Sequence, residues 1–156
     1  MKDTFILLTK ILPGEWRGEG FAQFPTIQAT AYTEVWTFEA DAEKQCIHFV
    51  QKTWYKNEAL NNGKTVFWDT GFILLKDGLI LLVSAQGGGR LETYELTAHE
   101  NGRFEFNARL ISNDSKMRRS QRILQIGIGQ LDYALNMSTN EATVFQNHLK
   151  GSLHKE

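Results

Sequence analysis

Turn signals recur along the chain at intervals of 10 to 15 residues, and this spacing limits what the chain can fold into. From residue 63 onward they are centred near positions 63, 78, 88, 102, 114, 128 and 140. Such intervals leave room for one strand between neighbouring turns and none for a long helix. Asp77-Gly78 and Asn101-Gly102 are strong hairpin signals, because both of their residue types tolerate positive φ. The spacing therefore predicts an antiparallel all-β meander.

The segments between these turns alternate between apolar and polar residues. Residues 103–110 place every apolar side chain on one face and every polar one on the other, and residues 131–138 nearly repeat the pattern. Period two with one polar face is typical of antiparallel strands that face water on one side. A meander of about ten strands removes its edges most economically by closing. We therefore expect a single antiparallel β-barrel domain over residues 1–156.

Only the N-terminal segment has helical spacing. Phe5, Leu8 and Leu12 lie at i, i+3 and i+7, and Pro13-Gly14 follows as a stop signal. The sequence predicts a short helix of one or two turns before the first strand.

Charge and composition exclude several classes of protein. Seventeen Lys and Arg against eighteen Asp and Glu give a formal charge of −1, which offers no electrostatic footprint for nucleic acid or an anionic membrane. No apolar run approaches the roughly 20 residues of a membrane helix, and the first ten residues lack a secretory signal. The single cysteine, Cys46, has no partner for an intramolecular disulfide. We expect a cytoplasmic protein without nucleic-acid or membrane partners, and its oligomeric state stays open.

The sequence lacks the common catalytic motifs. It contains no Gly-x-Ser-x-Gly, no phosphate-binding loop and no His-Glu-x-x-His. No pair of catalytic carboxylates can be located by spacing, so no catalytic residue is assigned. The densest unusual stretch is Gly14-x-Trp16-x-Gly18-x-Gly20. A Gly-x-Trp at the start of the first strand is typical of small ligand-binding barrels, where the Trp plugs one end and the glycines permit tight bending.

That stretch also carries a resemblance to a known family. Followed by Pro25-Thr26-Ile27, it resembles the nitrobindins, haem-binding barrels of the lipocalin and fatty-acid-binding-protein type. Further matching segments follow in the same order along nearly the whole chain: Tyr32-Thr-Glu34, Gln51-Lys-Thr-Trp54, Thr70-Gly-Phe72, Val83-Ser-Ala-Gln86, Tyr133-Ala-Leu-Asn-Met137 and His148-Leu149.

The resemblance implies a site and an activity. The family's pocket holds haem b, and the residue matching its axial iron ligand is His148. Thr26 matches a residue that contacts haem, and Lys116 matches a lysine at the haem edge, where an ammonium can pair with a propionate. The implied function is binding of ferric haem, isomerisation of peroxynitrite to nitrate, and binding of NO. The partners would then be small molecules.

The residues alone leave these assignments open. A lone histidine near a C-terminus is more typical of a solvated side chain, and Lys116 lies in a basic stretch that reads as solvated surface. Strict alternation places Leu149 and Leu153 on the face opposite His148, so either the strand bulges there or His148 precedes it. His154 lies roughly 20 Å further along a strand, too far to bind the same iron.

The other two histidines, His48 and His99, are expected to face solvent. A haem with two histidine ligands is therefore not supported.

The chain also departs from the family pattern. Gly87-Gly-Gly-Arg90 replaces a stretch that is usually more apolar, which predicts a change in the rim or polarity of the pocket. Two functions of other classes stay open: a haem-free carrier of fatty acid or another small apolar ligand, and a barrel used for protein interaction.

Overall fold

The protein folds as one α-helix followed by ten β-strands, as described by a computed structural model of residues 1–156. The helix α1 spans Lys2–Ile11. The strands are β1 (Gly14–Ala22), β2 (Thr30–Asp41), β3 (Cys46–Tyr55), β4 (Thr65–Lys76), β5 (Leu79–Gln86), β6 (Leu91–Glu100), β7 (Arg103–Ser112), β8 (Met117–Ile126), β9 (Gln130–Thr139) and β10 (Gln146–Lys155).

The strands pair in chain order and close into a barrel. Each strand is antiparallel to the next, and β1 also pairs with β10, from Trp16↔Lys155 to Ala22↔Leu149. Closure leaves no strand edge along the first-to-last seam, which avoids the exposed edges of an open sheet. The predicted antiparallel β-barrel of about ten strands is confirmed.

The predicted hairpins have the backbone that their residues favour. Asp77 and Asn101 have φ of 52° and 50°, and the glycine after each has φ of 77°. Two successive left-handed residues match the right-handed twist of the flanking strands.

The helix α1 closes one end of the barrel. Phe5, Leu8 and Leu12 are buried there, and the indole of Trp16 beneath them donates a hydrogen bond from Nε1 to the Leu12 carbonyl, 2.8 Å away. At ten residues the helix is longer than the one or two turns expected, because packing of its apolar face adds stability that local propensity does not supply. No helix in the structure combines the length and the apolar character that crossing a membrane requires.

Candidate functional site

A cavity of about 660 Å³ opens at the end of the barrel opposite α1. Ten of its 17 lining residues are hydrophobic, and its volume lies in the range of about 300–1,000 Å³ typical of small-molecule sites. The connections β1–β2 and β3–β4 contribute the mouth, for example Ile27 and Ala59, and Leu135 and Leu149 line it from the strands. The geometry provides an apolar container for one small ligand.

His148 reaches this cavity because β10 bulges. The register between β10 and β9 shifts between Asn147 and Leu149, so His148 is the extra residue of the bulge. Leu149 and Leu153 are both buried inside the barrel, while His148 also lines the cavity. Of the two arrangements compatible with the sequence pattern, the structure has the bulge.

The imidazole of His148 is oriented by its neighbours. Its Nδ1 lies 3.2 Å from the Gln23 carbonyl oxygen, and its ring packs edge-on against Phe24 at a centroid distance of 5.3 Å. With the proton on Nδ1, this nitrogen donates to Gln23 and leaves a lone pair on Nε2, which has no hydrogen-bond partner in the structure. Histidines that ligate metals are commonly oriented in this way.

The surroundings of His148 also favour its neutral form. Burial lowers the pKa of His148 and the positive charge of Arg90 lowers it further, while the hydrogen bond to Gln23 acts in the opposite direction. A neutral imidazole at physiological pH is the form that coordinates a metal.

Arg90 places a positive charge in the same cavity. Its side chain is 17% exposed, with Nη1 3.3 Å from Asp114 Oδ2 and Nε 3.3 Å from Glu92 Oε1. The sequence marked Arg90 as a departure from the family pattern but did not identify it as a site residue. The three glycines before it, Gly87 to Gly89, were the only sequence feature that drew attention to Arg90.

Two predicted site residues lie outside the cavity lining. Thr26 is exposed in a turn, directly before the lining residues Ile27 and Gln28. Lys116 is exposed in the β7–β8 connection, where its amide N–H donates to Asp114 Oδ1 at 3.1 Å. The structure brings His148 and Arg90 together but not Thr26 or Lys116, whose contacts with haem stay predictions.

A buried polar group, here the Glu34 cluster, lies beside the cavity. Glu34 Oε2 accepts hydrogen bonds from Trp36 Nε1 at 2.9 Å, Tyr133 Oη at 3.0 Å and Gln51 Nε2 at 3.1 Å, and Tyr133 also contacts the Tyr32 hydroxyl. Burial raises the pKa of Glu34 to about 7, although these hydrogen bonds lower it. A separate void of about 10 Å³ lies next to this cluster, and it shares the lining residues Phe67, Leu135 and Leu149 with the cavity.

A second buried network, the Arg122 cluster, crosses the barrel interior. Arg122 Nη2 lies 2.7 Å from Asp69 Oδ2 and donates to Ser84 Oγ at 3.0 Å. Glu92 accepts from Tyr94 at 2.6 Å. Burial disfavours the guanidinium charge, but the adjacent carboxylates raise the pKa of Arg122, so it stays protonated. Glu92 connects this network to Arg90, because its carboxylate lies 3.5 Å from Arg122 Nη2 and 3.3 Å from Arg90 Nε.

The remaining histidines take no part in the cavity. His154 is exposed near the far end of β10, and His99 is exposed and stacked on Phe104. His48 is half-buried on the outer face, with Nε2 3.0 Å from Thr70 Oγ1. Burial of His48 against Phe72 is greater than expected for a solvent-facing side chain.

The cavity residues fit a haem. The group is a large apolar plane that carries an iron and two carboxylates, and the cavity has apolar walls, one histidine with a free Nε2, and one arginine. His148 would hold the iron, since neutral imidazole is a common axial ligand.

The chain is similar to proteins of known name and structure. The profile of the THAP4-like, heme-binding beta-barrel domain matches residues 7–155. A relative from Arabidopsis thaliana named peroxynitrite isomerase Rv2717c is 31% identical over 97% of this chain and 89% of its own length. Peroxynitrite isomerase 1 of Rhodococcus jostii is 34% identical over 92% of this chain and 80% of its own length.

A solved structure agrees on the fold. Rv2717c from M. tuberculosis superposes with a TM-score of 0.74 at 23% identity and covers 97% of both chains. The predicted family is therefore confirmed by the sequence comparisons, and its fold by the structural one. The chain belongs to the family of THAP4-like, heme-binding β-barrel domains, the nitrobindin family.

Proposed function

We propose that this protein binds ferric haem b in the cavity through His148, isomerises peroxynitrite to nitrate, and binds NO. The observation that carries the proposal is the state of His148. Its Nδ1 is engaged by the Gln23 carbonyl, and its Nε2 is free at the wall of an apolar cavity. The names of the relatives, peroxynitrite isomerases, support the reaction.

Bound haem would supply the iron chemistry, and the chain supplies binding, orientation and access. Gln23 and Phe24 hold the imidazole ring of His148 in one orientation, so the side chain need not change rotamer when it binds the iron. The apolar walls, including Leu135 and Leu149, would exclude water from the part of the bound haem that they cover. The open mouth leaves a path for a small anion or a diatomic gas.

Two residues and the localisation complete the proposal. Thr26 and Lys116 are proposed as haem contacts from the family pattern. Thr26 adjoins the lining residue Ile27, and Lys116 is linked to Arg90 through Asp114. We place the protein in the cytoplasm, as the sequence suggested.

The reaction is tested by mixing peroxynitrite with the hemin-loaded protein. We expect wild-type protein to accelerate peroxynitrite decay and to shift the product towards nitrate. His148→Ala removes the proposed iron ligand and should abolish most of this acceleration, and His154→Ala, which removes an exposed histidine of the same strand, should retain it. Equal decay rates for wild type and His148→Ala would reject the proposal and favour the haem-free carrier of apolar ligands.

A further inference from the structure

Arg90 is the one arginine or lysine that lines the cavity. It follows Gly87-Gly-Gly89 in the β5–β6 connection and lies next to the strand β6 that carries Glu92. Its side chain is five-sixths buried, and besides lining the cavity it contacts the carboxylates of Glu92 and Asp114. Its charge also reaches His148, because Arg90 contributes to the lowered pKa of that imidazole. A cation therefore lines the same cavity as the proposed iron ligand.

The guanidinium of Arg90 is under-used as a hydrogen-bond donor. Arginine has five N–H groups, and here one side-chain hydrogen bond is formed, from Nη1 to Asp114 Oδ2 at 3.3 Å. The Nε atom is buried beside Glu92 Oε1, 3.3 Å away, whereas Nη2 forms no hydrogen bond and is not fully buried. The N–H groups of Nη2 are therefore left to bind an acceptor in the cavity.

The carboxylates around Arg90 differ in how firmly they are held. Glu92 has no exposed side-chain surface and is fixed by Tyr94 at 2.6 Å and Gln86 at 2.9 Å. Asp114 is 29% exposed in the β7–β8 connection. Glu92 therefore anchors the arginine from inside the barrel, while the rim partner Asp114 can give way to a ligand.

We propose that Arg90 is the residue of this cavity that recognises a ligand carboxylate. The planar guanidinium matches a carboxylate in a two-point hydrogen bond, which a lysine ammonium cannot reproduce. The ligand is then an apolar molecule that carries a carboxylate at the cavity mouth. If the proposed function holds, this group is a haem propionate; in a haem-free carrier it is the head group of a fatty acid. Arg90 takes the role that the family pattern assigns to Lys116, whose side chain lies outside the cavity.

Paired ligands test this assignment. The dissociation constants of hemin and its dimethyl ester, and of palmitate and its alcohol, are measured for wild type, Arg90→Gln, Lys116→Gln and the exposed control Arg118→Gln. For wild type we expect the free acid of at least one pair to be preferred. Arg90→Gln should reduce that preference about tenfold, the size of a partly exposed charged hydrogen bond, and Arg118→Gln should leave it unchanged.

Each outcome supports or overturns the proposal. Loss of preference in the hemin pair identifies a propionate, and loss in the palmitate pair alone identifies a fatty acid and rejects the haem source. Unchanged preference in both pairs, an equal loss in Arg118→Gln, or a loss in Lys116→Gln in place of Arg90→Gln overturns it. If Arg90→Gln fails to fold because Glu92 keeps only Arg122 as its cation, the double variant Arg90→Gln/Glu92→Gln removes both charges and answers the same question.

The proposed function fails separately from this inference. His148→Ala should change the absorption spectrum of bound hemin and keep the preference of hemin over its ester. If His148→Ala leaves that spectrum unchanged while Arg90→Gln removes the preference, iron ligation is rejected and carboxylate recognition by Arg90 stands.

Discussion

Glu34 carries a carboxyl group on a strand face that is otherwise aromatic, with Tyr32, Trp36 and Phe38 as its neighbours on that face. One of its oxygens accepts three hydrogen bonds and the other is buried without a partner. This environment disfavours the carboxylate, and burial raises the pKa of Glu34 from 4.5 to about 7. The stability of the fold should therefore depend on pH through this residue.

The direction of this pH dependence follows from which state, folded or unfolded, binds the proton on Glu34. Between pH 4.5 and about 7 the folded state keeps a proton on Glu34 that the unfolded chain releases, so a rise in pH favours unfolding. This pKa shift corresponds to a loss of folding stability on the order of 3 kcal/mol, which is complete above pH 7. Glu34→Gln keeps an acceptor oxygen and cannot ionise. We expect its free energy of unfolding, relative to wild type, to rise by that amount from about pH 4 to about pH 8.

Urea denaturation of the protein without added ligand at the two pH values measures this difference. Glu39→Gln on the same strand changes an exposed carboxylate by the same chemistry and should show no such trend. Parallel stability curves for wild type and Glu34→Gln would show that Glu34 ionises in the folded state as readily as in water.

Single residues of the site could be predicted only in part. His148 came from the family pattern, since nothing in its local sequence separates it from a solvated histidine. Glu34 and Arg122 each lie on the buried face of an alternating strand, so alternation carried a signal that a polar residue faces the interior. The family pattern selected Lys116 for the haem edge, and the local sequence did not identify Arg90 as a cavity residue. Which cation lines the cavity depends on how the β5–β6 and β7–β8 connections fold over the barrel mouth.

At the scale of elements, α1 acts as a plug whose two faces differ sharply. Leu8 is fully buried against the barrel, while its neighbour Leu7 is 39% exposed. Leu8→Ala should lower the free energy of unfolding by about 2–5 kcal/mol, the range for loss of a buried leucine, and Leu7→Ala by less than about 1 kcal/mol. Urea denaturation followed by tryptophan fluorescence compares the two.

The plug and the cavity lie at opposite ends of β1, roughly 25 Å apart. Folded Leu8→Ala protein should therefore bind hemin as tightly as wild type. Equal stability losses in the two leucine variants would mean that α1 is not packed as described, and weaker hemin binding would mean that the two ends are coupled.

The elements themselves were largely readable from the sequence. Turn residues such as Asp77-Gly78 fix where a strand must end, because few residue types adopt two successive left-handed conformations. The length of α1 was underestimated, since the packing that extends it is not local. The bulge at His148 appeared only as a conflict between alternation and the family pattern, and the β9 register resolved it.

At the scale of the whole molecule, closure of the barrel separates three environments. The end under α1 is a packed apolar core around Trp16, the middle contains the Glu34 and Arg122 clusters, and the far end is the cavity with His148 and Arg90. The alternation of apolar and polar residues along the strands predicted that the barrel has a buried interior. It could not predict this partition, because the contents of each level come from strands far apart in the chain.

The central claim is that His148 binds the iron of a haem held in this cavity, and its most direct test is the absorption spectrum of bound hemin in His148→Gly. Wild type should give a histidine-ligated Soret band that shifts on addition of NO. The variant keeps the apolar walls, so it should still take up hemin but lose that band, and added imidazole should restore it by occupying the vacated space. Identical hemin spectra for wild type and His148→Gly, unaffected by imidazole, would contradict the claim.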